Sequence, residues 1–517
     1  MGLALRRPLI FAVSAALAGG IALAGCAERP EAARTTLISN AVVVDGTGGP
    51  ARTASVRIRG ERIVEVGELQ AGPDETVVDA TGLALAPGFI DTHSHHDRGL
   101  SERPEVLAAV SQGITTVVVG QDGESYLPLA EYFGRLAKDP PAINVASFVG
   151  HGTLRNRVLG EDFRRPATPA EIDEMRVLLR QELEAGALGL STGLEYDPGI
   201  YSETEEVIAL AQEAAQVGGR YVSHIRSEDR RLWEAIEEII RIGQEAAIPV
   251  QVSHMKLAMR SLWGQADRLL QRLDEARAAG VEITADVYPY EYWQSTMTVL
   301  FPNRDFDNRE SAAFALLELA PPEGLLLARF DPDTSYVGKT VAEVAELRGT
   351  DPVTTYMDLI AESQALWQET GESVESVIGT SMDPADVARL ILWPHSNICT
   401  DGELAGRHPR GFGSFPRALR RYVHEDSALT LEVAIHKMTA LAARHMGLEH
   451  RGMIRPGAYA DLVLFDPARI SDRATPDEPQ AVSEGIERVW VNGVEVFADG
   501  APTGSRPGKA IARSAAR

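Results

Sequence analysis

The chain has 517 residues, enough for two to four domains or one large barrel with additions. At 44% hydrophobic and 24% charged residues, it is not globally disordered, collagen-like or a multi-span membrane protein. Its net charge of −24 argues against nucleic acid as a partner, because phosphates would be repelled over most of the surface.

Residues 1–25 read as a secretory signal peptide. Arg6 and Arg7 give a positive start, residues 9–23 are apolar, and Leu23-Ala24-Gly25-Cys26 follows. The apolar run, about 15 residues, is short of the roughly 20 that a spanning helix needs. Its end resembles a bacterial lipobox, with cleavage before Cys26 and lipid on the thiol. The expectation is a membrane protein held by a lipid anchor on Cys26 in a bacterial cell envelope, facing the periplasm. Residues 26–36 are polar and read as a tether. Residues 37–86 alternate short β-branched runs, such as Ala41-Val42-Val43-Val44, with glycine-rich turns, the texture of antiparallel strands. Residues 451–510 repeat that texture in Leu462-Val463-Leu464-Phe465 and Arg488-Val489-Trp490-Val491. The two ends are expected to pair into one small β-sandwich.

Between them, over residues 87–450, apolar strand candidates alternate with helical stretches such as 169–186, 204–217 and 231–246. The strand candidates are 88–92, 115–119, 144–149, 188–191, 220–224, 250–254, 283–288 and 397–400. Eight such strands predict an α/β fold, a (β/α)₈ TIM barrel with its active site past the strands' C-terminal ends. The gap between the seventh and eighth strands exceeds one helix, so about 291–375 reads as an insertion. The two cysteines are Cys26 and Cys399. With Cys26 lipidated no intramolecular disulfide forms, and Cys399 is expected to be a small buried hydrophobe.

The strand ends carry the chemistry. The first reads Asp91-Thr92-His93-Ser94-His95-His96-Asp97. His-x-His on an extended strand puts two imidazoles on one face, a metal-ligand geometry. Asp122 ends the second strand, His151 the third, His224 the fifth, His254 the sixth and Asp401 the eighth. His93, His95, His224 and His254 thus converge on one barrel mouth with Asp401. His395, His424, His436, His445 and His450 fall on presumed helices or loops and read as surface residues. Lysine is scarce, with only Lys138, Lys256, Lys339, Lys437 and Lys509. Lys256, two residues past His254, therefore reads as a substrate contact.

Pro87-Gly88-Phe89-Ile90-Asp91-Thr92-His93-Ser94-His95 resembles the first-strand signature of the amidohydrolase superfamily, metal-dependent hydrolases built on this barrel with a flanking β-sandwich. Other stretches resemble the N-acyl-D-amino-acid deacylases (D-aminoacylases) more closely. They include Gly150-His151-Gly152-Thr153, Ser223-His224-Ile225-Arg226-Ser227-Glu228, Ser253-His254-Met255-Lys256, Asp286-Val287-Tyr288-Pro289-Tyr290 and His408-Pro409-Arg410. The resemblance runs from about residue 37 to 508. It implies hydrolysis of N-acyl-D-amino acids, or of dipeptides with a D-residue, on one or two divalent metals. His93 and His95 would bind the more exposed metal and His224 and His254 the tighter one. Asp401 would touch the first metal and act as general base and acid, and Tyr288 would assist catalysis at the carbonyl. Lys256, Tyr288 and Arg410 would hold the substrate. His151 would contact substrate or support the groups that do.

The sequence departs from that family where a cysteine usually bridges to the metal. Here Gly120-Gln121-Asp122-Gly123 offers Asp122, with Glu195 as second choice. A carboxylated lysine on the fourth strand, the other superfamily bridge, is excluded because no lysine lies between Lys138 and Lys256. A carboxylate is harder than a thiolate, so Mn²⁺ or Fe²⁺ would be accepted alongside Zn²⁺. Two competing readings are a hydantoinase-like cyclic amidase and a non-catalytic envelope lipoprotein that binds peptide or metal. The missing lysine argues against the first. Asp401, a base that a mere binder does not need, argues against the second.

Overall fold

A computed structural model describes residues 35–514. The segment expected to be a signal peptide, Cys26 and all but the last two residues of the expected tether lie outside the described residues. Thr35 and Thr36 already belong to the first strand. No helix among the described residues is long and apolar enough to cross a membrane.

The N-terminal strands are β1 (Thr35–Val43), β2 (Arg52–Arg59), β3 (Arg62–Gly67), β4 (Thr76–Asp79) and β5 (Ala84–Pro87). The barrel contributes β6 (Phe89–Asp91), β7 (Ile114–Val119), β8 (Asn144–Ser147), β9 (Val149–Gly150), β10 (Gly189–Gly193), β11 (Arg220–His224), β12 (Val250–Val252) and β13 (Ile283–Val287). Then come β14 (Tyr292–Ser295), β15 (Leu325–Phe330), β16 (Glu375–Thr380) and the last barrel strand, β17 (Ser396–Ile398). The chain ends with β18 (Leu462–Phe465), β19 (Ile486–Val491), β20 (Val494–Ala498) and β21 (Ala501–Pro502).

The barrel strands are parallel and ordered β6-β7-β8, then β9-β10-β11-β12-β13-β17, with β8 and β9 one stave interrupted at Phe148. They read as apolar runs because both faces are covered: every residue of β7, Ile-Thr-Thr-Val-Val-Val, is buried. Hydrogen bonds stitch the two parallel sheets together on both sides. Phe148 N donates to Val119 O (3.0 Å) and Leu188 N to Ser147 O (2.9 Å). Asp401 N donates to His93 O (2.8 Å) and His95 N to Gly402 O (3.0 Å). The second seam is made by residues of the candidate site. Local signals set the outer helices. Thr168 and Glu171 form a capping box, followed by Pro169 at the first turn of Pro169–Glu184.

Strands from both chain ends form one nine-stranded sheet, ordered β21-β20-β19-β18-β5-β1-β2-β3, with β4 paired to β1. Ile38, Val56, Ile58, Leu462, Leu464 and Trp490 share its own core. The segment between β13 and β17 carries an antiparallel sheet, β14-β16-β15, with several helices. That sheet closes only at Thr380, five residues past the expected end of the insertion. β16 returns to pair with β14 at the barrel mouth, from Tyr292 opposite Thr380 to Ser295 opposite Val377.

Candidate metal centre and active site

Period-two alternation past β6 places His93 and His95 together, with Nε2 atoms 3.4 and 3.2 Å from Asp122 Oδ2. The other oxygen of Asp122, Oδ1, lies 3.3 Å from His254 Nε2. His254 Nε2 in turn is 3.0 Å from His224 Nδ1. Asp122 therefore stands between the two histidine pairs, one oxygen toward each. Asp401 Oδ1 is 3.5 Å from His93 Nε2 and 3.3 Å from His95 Nε2. Glu195, the second bridging candidate, reaches His224 alone, with Oε2 3.0 Å from Nε2.

Three of these residues adopt positive φ: Asp122 (53°), His254 (35°) and Asp401 (49°). A non-glycine residue there costs of order 1–3 kcal/mol, and such strain clusters at working sites where the surrounding structure imposes it. At His254 the restraint is visible: its backbone N donates to Asp286 Oδ1 (2.6 Å), and Asp286 also accepts from Gln251 Nε2 (2.6 Å).

The donor set fits a metal ion. Both ring nitrogens of His93 and Oδ1 of Asp122 are buried without a hydrogen-bond partner among the described residues, although buried polar groups nearly always have one. His93, His95, Asp122 and Asp401 form one group of converging ligand atoms, and Asp122, His224 and His254 another. Imidazole and carboxylate are the ligands of zinc-type sites. Burial pushes His224 down to about 4 and so keeps it neutral, the form in which a ring nitrogen ligates. Burial opposes protonation of His95 and His254 too, yet the surrounding carboxylates hold them up at about 9 and about 10. The carboxylates thus draw protons onto two imidazoles, so the cluster is short of positive charge by itself. Burial works against ionising Asp401, but Arg410 and the imidazoles of His93 and His254 keep its carboxyl below the usual range.

Lys256, Tyr288 and Arg410 come together beside this cluster, lining a cavity of about 50 Å³. The two cations are already engaged. Lys256 Nζ donates to Glu228 Oε1 (2.6 Å) and lies 2.7 Å from His254 Nδ1. Arg410 Nη1 is 2.6 Å from Asp401 Oδ2. The Tyr288 hydroxyl is buried and has no hydrogen-bond partner among the described residues. His151 lines neither the inner cavity nor the outer cleft. It is fully buried, with Nε2 2.7 Å from Glu206 Oε1, and Glu206 also takes Arg155. Of the two roles expected for His151, the hydrogen bond to a buried acid is the one its surroundings offer.

Sequence reasoning missed Glu228, which joins Lys256 to His254. Its signal lay in the stretch after β11, where Glu228 follows His224 by four residues in the loop before the next helix. Tyr196, whose ring sits 4.4 Å from that of His224, was missed as well. Cys399 is buried, and its Sγ donates to Asp286 (3.3 Å). Burial raises its thiol well above the usual range, so it stays protonated. His445, expected at the surface, is buried, with Nδ1 2.7 Å from Asn397 Oδ1.

The amidohydrolase family model matches residues 76–320 and 309–497. The chain is 38% identical to an N-acyl-D-glutamate deacylase of Alcaligenes xylosoxydans xylosoxydans over 93% of this chain and 96% of the relative. It is 35% identical to a D-aminoacylase of the same organism over 93% and 98%. It superposes on the crystal structure of the N-acyl-D-glutamate deacylase of Bordetella bronchiseptica, complexed with zinc and a phosphonate mimic of the tetrahedral intermediate. That match has a TM-score of 0.83 at 36% identity and covers 93% of this chain and all of that one. With the family model spanning most of the chain and the ligand set in place at the barrel mouth, the chain belongs to the amidohydrolase family.

Proposed function

We propose that this protein is a metal-dependent deacylase that hydrolyses the amide bond of N-acyl-D-amino acids, giving a carboxylate and a free D-amino acid. The observation that carries the reading is the Asp122 carboxylate between two histidine pairs, with Asp401 closing one side. The relatives' names, deacylases of D-amino acids at 35–38% identity over nearly the whole chain, supply the substrate class.

His93, His95 and Asp401 would hold one ion and His224 and His254 the second, with Asp122 between them. Zn²⁺ is the expected metal, and Mn²⁺ or Fe²⁺ fit the same ligands. When bound, the metal supplies a Lewis acid that lowers the pKa of water and polarises the amide carbonyl. Asp401, held ionised beside Arg410, accepts the proton of the attacking water and passes it to the leaving amine. The unpartnered Tyr288 hydroxyl donates to the carbonyl oxygen as charge develops there. Lys256 and Arg410 take the substrate's α-carboxylate. Each already faces a carboxylate, so the incoming group joins a charge network and need not meet a bare cation.

The test is elemental analysis of the purified protein, followed by turnover of paired N-acetyl-D- and N-acetyl-L-amino acids with Zn²⁺, Mn²⁺ or Fe²⁺. Free amine released from the D series is expected. A metal-loaded protein inert on every D compound overturns the reading.

We further propose that export removes residues 1–25 and that Cys26 carries a lipid, leaving the enzyme on the periplasmic side of the envelope. The order of Arg6, Arg7, the apolar run and Leu-Ala-Gly-Cys supports this. Cys26→Ser is expected to move the protein from the membrane fraction to the soluble one. A variant still bound to membranes refutes the anchor.

A further inference from the structure

The substrate space has two continuous parts. The inner cavity is lined by Lys256 and Tyr288, and an outer cleft of about 970 Å³ opens beyond it. Tyr196, Gln294, Ser295, Asp401 and Arg410 line both, so the cleavage point lies where they meet. With the amino-acid half held inside, the acyl half extends into the outer cleft.

The charges of that outer wall are nearly all matched. Arg98 pairs with Glu124 (2.7 Å) and Glu403 (3.3 Å), and Asp197 pairs with Arg304 (3.2 Å). Arg329 pairs with Asp331, and Arg410 with Asp401. Glu375 is pushed up to about 8 by burial and is neutral near pH 7. Arg407 is the exception. Among the described residues it has no ion pair or hydrogen bond, and its Nε is buried without a partner. Its guanidinium lies against Gly338 of the insertion, where an added Cβ would come within 2.8 Å of Nη2. A half-buried arginine without an acid is conspicuous in a chain of charge −24, where anions are plentiful.

Resting on the deacylase reading, we propose that Arg407 determines acyl specificity by pairing with an anion at the far end of the acyl group. The preferred substrates are then D-amino acids acylated by a dicarboxylic acid. Water is consumed, the amide C–N bond breaks, and the products are the free dicarboxylate and the D-amino acid. An aminoacyl group, whose free amine is cationic, is disfavoured at the same place.

The test compares N-succinyl, N-acetyl and N-glycyl derivatives of whichever D-amino acid is turned over best as its N-acetyl compound. Wild type is expected to show kcat/KM falling in that order, with succinyl ahead of acetyl by about tenfold or more. In Arg407→Gln and Arg407→Ala the succinyl-to-acetyl ratio collapses toward one, and Arg407→Lys keeps part of it. Succinate should also inhibit wild type more strongly than acetate, and this difference should vanish in Arg407→Gln. Equal wild-type rates on succinyl and acetyl compounds, or a preference that survives Arg407→Gln, overturn the inference while leaving the deacylase reading intact. No turnover of any of the three by metal-loaded protein overturns both.

Discussion

Asp401 answers to three neighbours at once: the imidazoles of His93 and His95 through Oδ1, and the Arg410 guanidinium through Oδ2. An ionised carboxylate so placed accepts a proton, and an amide of the same shape does not. Asp401→Asn is therefore expected to keep the fold and the His224/His254 metal while amide hydrolysis falls at least about a hundredfold, the lower range for general acid–base catalysis. Elemental analysis with steady-state turnover checks this, and activity within about tenfold of wild type, roughly 1.4 kcal/mol of barrier, removes Asp401 from the proton-transfer role. Asp122 makes a separate prediction. Two cations held close repel each other unless an anion lies between them, and among the described residues only Asp122 presents an oxygen to each histidine pair. Asp122→Ala should lose metal and activity together, whereas Glu195→Ala, which touches His224 alone, should be the milder variant. A full metal complement in Asp122→Ala would show that this carboxylate bridges nothing.

At the scale of elements, the insertion builds a wall of the substrate cavity. Trp293, Gln294 and Ser295 of β14, with Val299 and Leu300 of the following turn, line the inner cavity. The Met297 peptide at the start of that turn is gripped from both sides. Its N–H donates to Glu375 Oε1 (2.9 Å), and its carbonyl accepts from the Tyr356 hydroxyl (2.8 Å). Burial holds the Glu375 carboxyl at about 8. The folded chain thus binds this proton more tightly than the unfolded one, and the resulting stability is complete at about pH 4 and lost as pH rises through about 8. Over that window wild type should lose up to about 1.4 kcal/mol per pH unit from this group. Glu375→Gln keeps the acceptor for Met297 and carries no proton to lose. Its thermal midpoint should gain on wild type between pH 5 and 8, and parallel curves would refute the assignment. None of this was legible in the sequence, because Glu375 reaches Met297 from β16 and Tyr356 from the helix Pro352–Thr370, and no local pattern announces either approach. The barrel was legible because fully buried parallel strands are written as apolar runs, and His93-x-His95 because strand periodicity puts both rings on one side. Residues whose role depends on a distant partner, such as Glu228 with Lys256 or His151 with Glu206, gave only their chemical type.

Over the whole molecule, the two chain ends pair with each other in one sheet, and that sheet must be fastened to the barrel. The fastening is a buried polar knot. Asp461, at the edge of β18, accepts from Arg451 and from Asn492 N (2.7 Å), and its backbone carbonyl takes Gly88 N (2.8 Å) just before β6. Asn492 Nδ2 donates to Oδ1 of Asn144 (2.8 Å), the first residue of β8. All four side chains are buried. The composition could not have revealed this joint, since Asn144 and Asn492 are 348 residues apart. Removing one member of a buried ion pair leaves the other charge desolvated and unmatched, at a cost of about 3–5 kcal/mol, whereas replacing both with apolar groups costs far less. Asp461→Ala is therefore expected to lower the thermal midpoint clearly, because Arg451 remains buried with Asn492 and the Tyr459 ring beside it and without an acid among the described residues. The double variant Asp461→Ala with Arg451→Met should recover much of that loss, a non-additivity that a pair in direct contact must show. Thermal unfolding of the two single variants and the double variant decides the matter. If Asp461→Ala melts within about one degree of wild type, or if the two losses simply add, the sheet is held to the barrel by apolar packing and the ion pair contributes nothing.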